Sequence, residues 1–425
     1  MNQMWIALGM FAVMYVLLLI FSEKRWMISP LFALAYILVG ILPENRALGA
    51  VNWNVLLMLA GTMATVELFI QSKMPARMAE GLLKITPNVQ WAVVALSLFS
   101  GLISAFVDNV ATVLMVAPVG LAVAKKIKTN PIPVIVAIAV SSNLQGAATL
   151  VGDTTSILLG NYANMSFNDF FWFLGRPGIC FAVEAGALMT VPVLLWLFGK
   201  ERARVTSEVT TQVHDYVPTV LLIGTIVLLI VASQFQNKPE LTNGFICCGL
   251  AVIGILYEVL RGRDGKVAVD TVKAIDFKTL ILLVGLFMVI EGMTAAGVID
   301  KIAELFVQIG GGSKLLLYML IVGVSVLLSA FIDNIPYVAT MLPVVTSIAA
   351  MVGGGSNYLF AYGLLIGATL GGNITPIGAS ANIAGIGILQ KEGYKVSTKD
   401  FIRIGIPFTI IAAVTGAAVV WLFWA

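Results

Sequence analysis

Apolar runs of about 17 to 25 residues follow one another from end to end, separated by short polar clusters, and each is long enough to cross a hydrocarbon core of roughly 30 Å. In the first half such runs lie near 5–21, 28–43, 53–71, 131–161 and 177–199, and in the second near 218–233, 241–260, 279–298, 358–388 and 404–424. Two stretches break the rhythm. Residues 91–124 and 315–351 each hold two apolar runs flanking Asp108-Asn109 or Asp333-Asn334, too short for two full spans plus a loop. They are predicted to be re-entrant hairpins that enter and leave on one side.

The runs 131–161 and 358–388 carry a second kind of interruption. Ser141-Ser142-Asn143-Leu144-Gln145-Gly146 with Thr149, Gly152, Asp153 and Thr154 interrupts the first, and Gly372-Asn373-Ile374-Thr375-Pro376-Ile377-Gly378-Ala379-Ser380-Ala381-Asn382 the second. Close packing through small residues explains the Gly and Ala but not the amides, hydroxyls and acid together. Both runs are therefore read as broken helices. In lipid every backbone N–H and C=O must be satisfied internally, so a break is tolerated only where protein, water or an ion supplies partners.

Laid over itself with a shift of 224 to 227 residues, the chain repeats. Ala50-Val51-Asn52-Trp53 pairs with Ala274-Ile275-Asp276-Phe277, Ser104-Ala105-Phe106 with Ser329-Ala330-Phe331, Gly146 and Gly152 with Gly372 and Gly378, and Arg176 and Gly178 with Arg403 and Gly405. The fold class is an all-α polytopic membrane protein: two repeats, 1–199 and 218–425, of five spans and one hairpin each, joined by a polar linker at 200–217. Five crossings invert the second repeat, so the two hairpin tips meet near the midplane.

Charge placement agrees. With the N-terminus external, the inner loops, Lys24 and Arg25 among them, collect twenty of the 25 Lys and Arg residues, the excess expected of cytoplasmic loops. Both termini are expected outside and the linker in the cytoplasm, in a cell membrane. A hydrophobic content of 59% with 11% charged residues leaves no room for a soluble domain. The first apolar run has no basic region before it and no small-residue cleavage site after it, so it is read as a retained span. Cys180, Cys247 and Cys248 form no disulfide or metal pattern, and His214, the one histidine, sits in the linker. No metal, cofactor or nucleic-acid partner is expected, and no P-loop nucleotide-binding pattern occurs.

The candidate ion and substrate ligands are Asp108, Asn109 and Thr112 in the first hairpin; Asn143, Gly146, Thr149, Gly152, Asp153 and Thr154 in the first break; Asp333 and Asn334 in the second hairpin; and Gly372, Asn373, Thr375, Gly378, Ser380 and Asn382 in the second break. Asp108, Asp153 and Asp333 are the candidate proton carriers, because an ionisable group inside a span is costly and marks a functional site. Asp108 and Asp333 also stand at helix N-cap positions, a structural role that an uncharged residue would fill as well. The halves differ at Asp153, which aligns with Ala379, and at Ser156, which aligns with Asn382. Glu67 and Glu291 lie toward span ends, where pairing with Arg77 or Lys301, or simple snorkelling, explains them. Inverted repeats whose broken segments meet at midplane are a common architecture of secondary transporters.

At these residues the chain resembles the ion transporter superfamily over nearly its whole length. That superfamily includes divalent-anion:sodium symporters, arsenite efflux permeases, sodium/proton antiporters of the NhaD type and the melanosomal P protein. The symporters carry Ser-Asn-Thr at the tips. Here Asp108-Asn109-Val110 and Asp333-Asn334-Ile335 look more like the other branches, although Thr154-Thr155-Ser156 replaces their Pro-Pro-Asn. The resemblance implies a scaffold, dimeric in some members, and a transport domain of hairpins and broken helices that moves against it in an elevator-like cycle. It implies proton-coupled efflux of arsenite, antimonite or a related small inorganic ion, with a soluble ATPase as partner if the permease likeness holds. The alternatives are sodium/proton antiport, sodium-coupled di- or tricarboxylate symport, made less favourable by the extra acids, and a passive channel. An intramembrane aspartyl protease is disfavoured because Leu150-Val151-Gly152-Asp153 lacks the Gly-x-Gly-Asp pattern.

Overall fold

The computed structural model describes residues 2–126, 129–199, 211–235, 237–261, 265–353 and 357–425. The first half comprises α1 (Asn2–Ile20), α2 (Arg25–Leu38), α3 (Glu44–Ala47), α4 (Trp53–Gln71), α5 (Met74–Lys84), α6 (Val89–Ser104), α7 (Asn109–Lys126), α8 (Pro131–Gln145), α9 (Thr154–Tyr162) and α10 (Ile179–Leu197). The second comprises α11 (Val217–Ala232), α12 (Thr242–Leu260), α13 (Lys266–Ala274), α14 (Phe277–Ala295), α15 (Val298–Gly310), α16 (Lys314–Ser329), α17 (Asn334–Val352), α18 (Asn357–Gly371), α19 (Ser380–Lys391) and α20 (Thr398–Trp424). From α4 and α14 onward, each helix of the first half has a counterpart ten places later.

The same side-chain chemistry starts the paired helices. Asn52 accepts from the Val55 amide to cap α4, and Asp276 from the Thr279 amide to cap α14. Asn88 and Ser313 cap α6 and α16 in the same way. Left-handed residues, Lys73 (φ 61°) and Gly297 (φ 75°), turn the chain sharply from α4 into α5 and from α14 into α15. The second turn bends by 72°. Helices α5 and α15 fall outside the expected spans: at 11 and 13 residues they are too short to cross, and each lays an apolar face on its hairpin, α5 on α6 and α7, α15 on α16 and α17.

Among the described residues, eight helices are long and apolar enough to cross a membrane. Helices α7 and α17, drawn from sequence as half-spans, are among them at 18 and 19 residues, because α7 runs on through Lys125 and Lys126. Their partners α6 and α16 have 16 residues. The halves interlock: α2 packs on α14 and α4 on α12, while α9 crosses to α17 and α18, and α19 to α7 and α8. Helix α8 is almost wholly enclosed. Its Ser141, Ser142, Asn143 and Gln145 must therefore find partners inside the protein. The outer faces of α11 and α12 present Val220, Ile223, Phe245 and Ile253, an apolar surface suited to lipid.

Residues 200–210 of the linker, with Lys200, Arg202 and Arg204, lie outside the described residues, as do Lys128 and Arg263. The rest of the linker is docked: Thr211 donates to Glu80 through its amide (3.0 Å) and hydroxyl (2.6 Å), and the His214 amide donates to the Ser72 carbonyl (3.1 Å). Glu67 pairs with Gln71 (2.8 Å) rather than Arg77, which donates to the Thr211 carbonyl, while Lys301 bonds Glu304.

Candidate functional site

Each hairpin tip is tied to the break of its own half by a hydroxyl-to-carbonyl bond, Thr149 to Ala105 in one and Thr375 to Ala330 in the other. The backbones meet so closely that a β-carbon on Gly152 would lie 2.5 Å from the Gly146 oxygen and 2.7 Å from those of Ala105 and Ser104; one on Gly378 would lie 2.6 Å from the Gly372 oxygen. None of these carbonyls can yield without moving a helix end. Gly152→Ala is accordingly expected to cost about 1–3 kcal/mol from overpacking, read as a lower thermal midpoint in detergent than Gly9→Ala, where the space is open.

A chain of amides crosses between the halves. Asn109 Nδ2 donates to Asn143 Oδ1 (2.9 Å), Asn143 Nδ2 to Asn373 Oδ1 (3.0 Å) and to the Thr369 carbonyl (2.8 Å), and Asn373 Nδ2 to the Val140 carbonyl (3.0 Å). Ser142 secures the tip by donating to the Asn109 carbonyl (3.0 Å). In the second break Asn382 Nδ2 donates to the carbonyls of Gly372 (2.9 Å) and Thr375 (3.1 Å), while its buried Oδ1 has no partner among the described residues. The aligned Ser156 makes only the first of these contacts, to Gly146 (3.3 Å). Thr112 turns back on its own hairpin, to the Val107 carbonyl, and the enclosed Thr154 opens α9.

The three acids sit in three environments. Asp108 Oδ1 accepts from the amides of Val110 (3.0 Å) and Ala111 (3.2 Å), capping α7. Asp333 Oδ1 accepts from the Ile335 amide (3.2 Å), capping α17, and its Oδ2 is held by Arg25 at 3.0 Å with Ser380 at 3.4 Å. Asp153 is enclosed, 3% exposed, within electrostatic reach of both other acids, and its Oδ2 accepts from Thr155 (3.0 Å) and from Asn334 of the opposite tip (3.4 Å). No basic side chain is bonded to it among the described residues.

The site is thus polarised. Around the first break Thr149 through Gly160 are all buried, whereas around the second Ile377, Ser380 and Ile383 are exposed. Asp153 stands at the start of α9 and Ala379 at the start of α19, neither making a side-chain cap bond, and Ser380 in the first turn of α19 shares Asp333 Oδ2 with Arg25. One pole is a buried acid among carbonyls and amides, suited to a proton or a small cation. The other is a partly exposed pole where the Arg25 guanidinium, paired with Asp333, lies near the N-terminus of α19. Among the described residues no cluster of three or more His, Cys, Asp or Glu is placed to hold a metal ion.

Arg25 is the residue that reading the sequence misses: counted as an inner-loop cation, it folds back to the hairpin tip, anchored by Nε to the Leu18 carbonyl (3.0 Å). Its position follows from the α1–α2 turn, and no local pattern signals it. Away from the centre, a polar cavity of about 840 Å³ lies among Asn54, Asn161, Asn243, Asp169 and Lys238. Lys238 bonds Asn243 (3.3 Å), and burial holds its ammonium below the usual lysine range, with Asp169 opposing.

Comparison with known proteins adds a lineage. Residues 15–353 and 240–425 match the family model described as CitMHS, citrate transporter. An uncharacterized transporter of Mycobacterium tuberculosis is 32% identical over 381 residues, covering 88% of this chain and 86% of that one. The human P protein is 25% identical over 448 residues, covering 86% of this chain and 53% of its own length. Among solved structures, the Alcanivorax borkumensis YdaH transporter, described as having an unusual topology, superposes with a TM-score of 0.64 at 14% identity, over 92% of this chain and 88% of that one.

Proposed function

The chain belongs to the CitMHS citrate transporter family of the ion transporter superfamily, and from that premise we propose that it is a secondary active transporter moving a small multivalent carboxylate together with a proton or sodium ion. The observation that carries this reading is the polarity of the site. Among the described residues Asp153 lies buried without a bonded cation, whereas at the other pole Arg25 lies partly exposed, paired with Asp333, near the exposed Ser380 at the start of α19. A coupling cation settles at the buried pole, where it neutralises the acid and completes the coordination of nearby carbonyls. The carboxylate cargo settles at the open pole, competing with Asp333 for Arg25. Of the three acids, Asp153 is neutralised by the coupling cation and Asp333 is paired with Arg25 until the cargo arrives, so the repulsion on an approaching anion is reduced.

In this reading the protein lies in the cell membrane with both termini outside. Hairpins and broken helices move in an elevator-like cycle against the scaffold formed by α1, α2, α4, α11, α12 and α14. Arsenite efflux and sodium/proton antiport use Asp153 alone and leave Arg25 without a part, so they stand second.

The test is transport in proteoliposomes under imposed pH and sodium gradients, with citrate, succinate, arsenite and sodium offered singly. Citrate or succinate flux that depends on one of the two gradients is the expected result. A pH gradient that collapses on addition of arsenite or sodium, with no response to either carboxylate, overturns the carboxylate assignment.

A further inference from the structure

A further carboxyl group lies within a span and outside the site above. Glu184 sits in the first third of α10, and its Oε2 accepts from Gln145 Nε2 at 2.8 Å. Gln145 is the last residue of α8, immediately before the Gly146–Ala148 turn that leads to Asp153. The other atom of its amide, Oε1, is buried without a partner among the described residues. This oxygen fills the place of an absent side chain on α6: a β-carbon on Gly101 would lie 1.3 Å from it.

The repeat provides an internal control. The residue aligned with Gln145 is Gly371, with Gly101 it is Val326, and with Glu184 it is Ile411. In the second half, therefore, the glycine has moved to the broken helix, where a β-carbon on Gly371 would lie 2.4 Å from the Val326 oxygen. The same helix contact is closed there with no polar group at all. Packing thus requires neither the amide nor the acid, and a carboxyl group in a span at the cost of desolvation calls for another role.

We infer that Glu184 is a proton-binding site whose state is read by Gln145 and passed to the first broken helix alone. Ionised, Glu184 accepts from the amide nitrogen and keeps Oε1 turned away, unpaired. Protonated, it keeps one acceptor oxygen and gains an O–H, for which the acceptor the amide offers is Oε1, so the amide rotates to present Oε1 as well. The proton comes from water and returns to it, and no other bond is made or broken. Because α10 also packs on the Gly146–Ala148 turn, this exchange acts directly on the segment that positions Asp153.

The electrostatic surroundings are simple. The elements packed on α10 are α6, α8, the 146–148 turn and α20. The first three carry no ionisable residue, and the charges of α20, Lys399, Asp400 and Arg403, lie in its first two turns, whereas Ala412 is the residue that meets Gly186. Cys180, one turn earlier on α10, is a titratable neighbour of Glu184.

The test follows protonation itself, by infrared difference spectroscopy of the full chain in lipid nanodiscs through a pH titration. A protonated-carboxyl C=O band is expected in the wild type, absent in Glu184→Gln and moved in frequency in Gln145→Leu, which keeps the acid and removes its partner. Superposable spectra of wild type and Glu184→Gln overturn the inference, as does a band unmoved in Gln145→Leu. The consequence for flux rests on the proposed function: in proteoliposomes Glu184→Gln flattens the pH dependence of citrate flux while keeping the low-pH rate within about threefold of wild type, and an unaltered pH profile overturns the link to transport. Should the wild type move no carboxylate while the band behaves as expected, the functional reading fails and the proton site stands.

Discussion

Asp153→Asn abolishes gradient-coupled transport, by roughly 100-fold or more on the scale of losses seen when an essential charge or proton carrier is removed, and leaves the fold intact. The substitution is nearly isosteric. The amide oxygen still accepts from Thr155 and Asn334, the two groups that bond Oδ2, so only the charge and the proton are lost. Asp153 is enclosed at 3% exposure and bonded by no basic side chain among the described residues. A bound proton or sodium ion is therefore the natural counter-charge of this carboxylate in the membrane interior. Its environment ranks it above the tip acids: Asn caps helices about as well as Asp, so Asp108→Asn retains its cap, and Asp333 already has Arg25. The measurement is carboxylate uptake with and without the gradient, paired with a thermal melt. Gradient-dependent uptake at the wild-type rate in Asp153→Asn would sink the assignment of the buried pole.

Much of the fold is legible in the sequence because the signals are periodic and repeated. The two Asp-Asn tips separate α6 from α7 and α16 from α17, and the glycine-rich runs separate α8 from α9 and α18 from α19, where hydropathy and local chemistry place the interruptions. What is not legible comes from geometry between distant segments. Helices α5 and α15 are shorter than any span, so hydropathy passes over them. The role of Gln145 depends on a missing side chain at Gly101, 44 positions earlier. Asp333 looks like the twin of Asp108 in sequence, since both sit in Ser-Ala-Phe-x-Asp-Asn. The chain separates them only by folding the α1–α2 turn across the second tip, where Arg25 meets one acid and not the other.

Arg25 sets the sign of a second expected result. Arg25→Gln should raise the KM for a carboxylate cargo by about 10- to 100-fold, the equivalent of one charge-assisted hydrogen bond of about 1.5–3 kcal/mol, with little change in maximal rate or in dependence on the coupling cation. Asp333→Asn should act in the opposite direction. In the present structure the Asp333 carboxylate occupies the guanidinium at 3.0 Å, so the cargo must displace it, and an amide in its place is a weaker competitor that still caps α17. Lysine at position 25 should fall between, keeping the charge without the planar fork. The double variant Arg25→Gln with Asp333→Asn separates two roles. If Arg25 serves only to neutralise Asp333, removing both returns the KM to wild type. If it receives the cargo, the double variant stays as weak as Arg25→Gln alone. Both partners are partly exposed, 21% and 13% at the side chain, so an unpaired charge left at either position keeps access to water, and the loss is expected in cargo affinity rather than in stability.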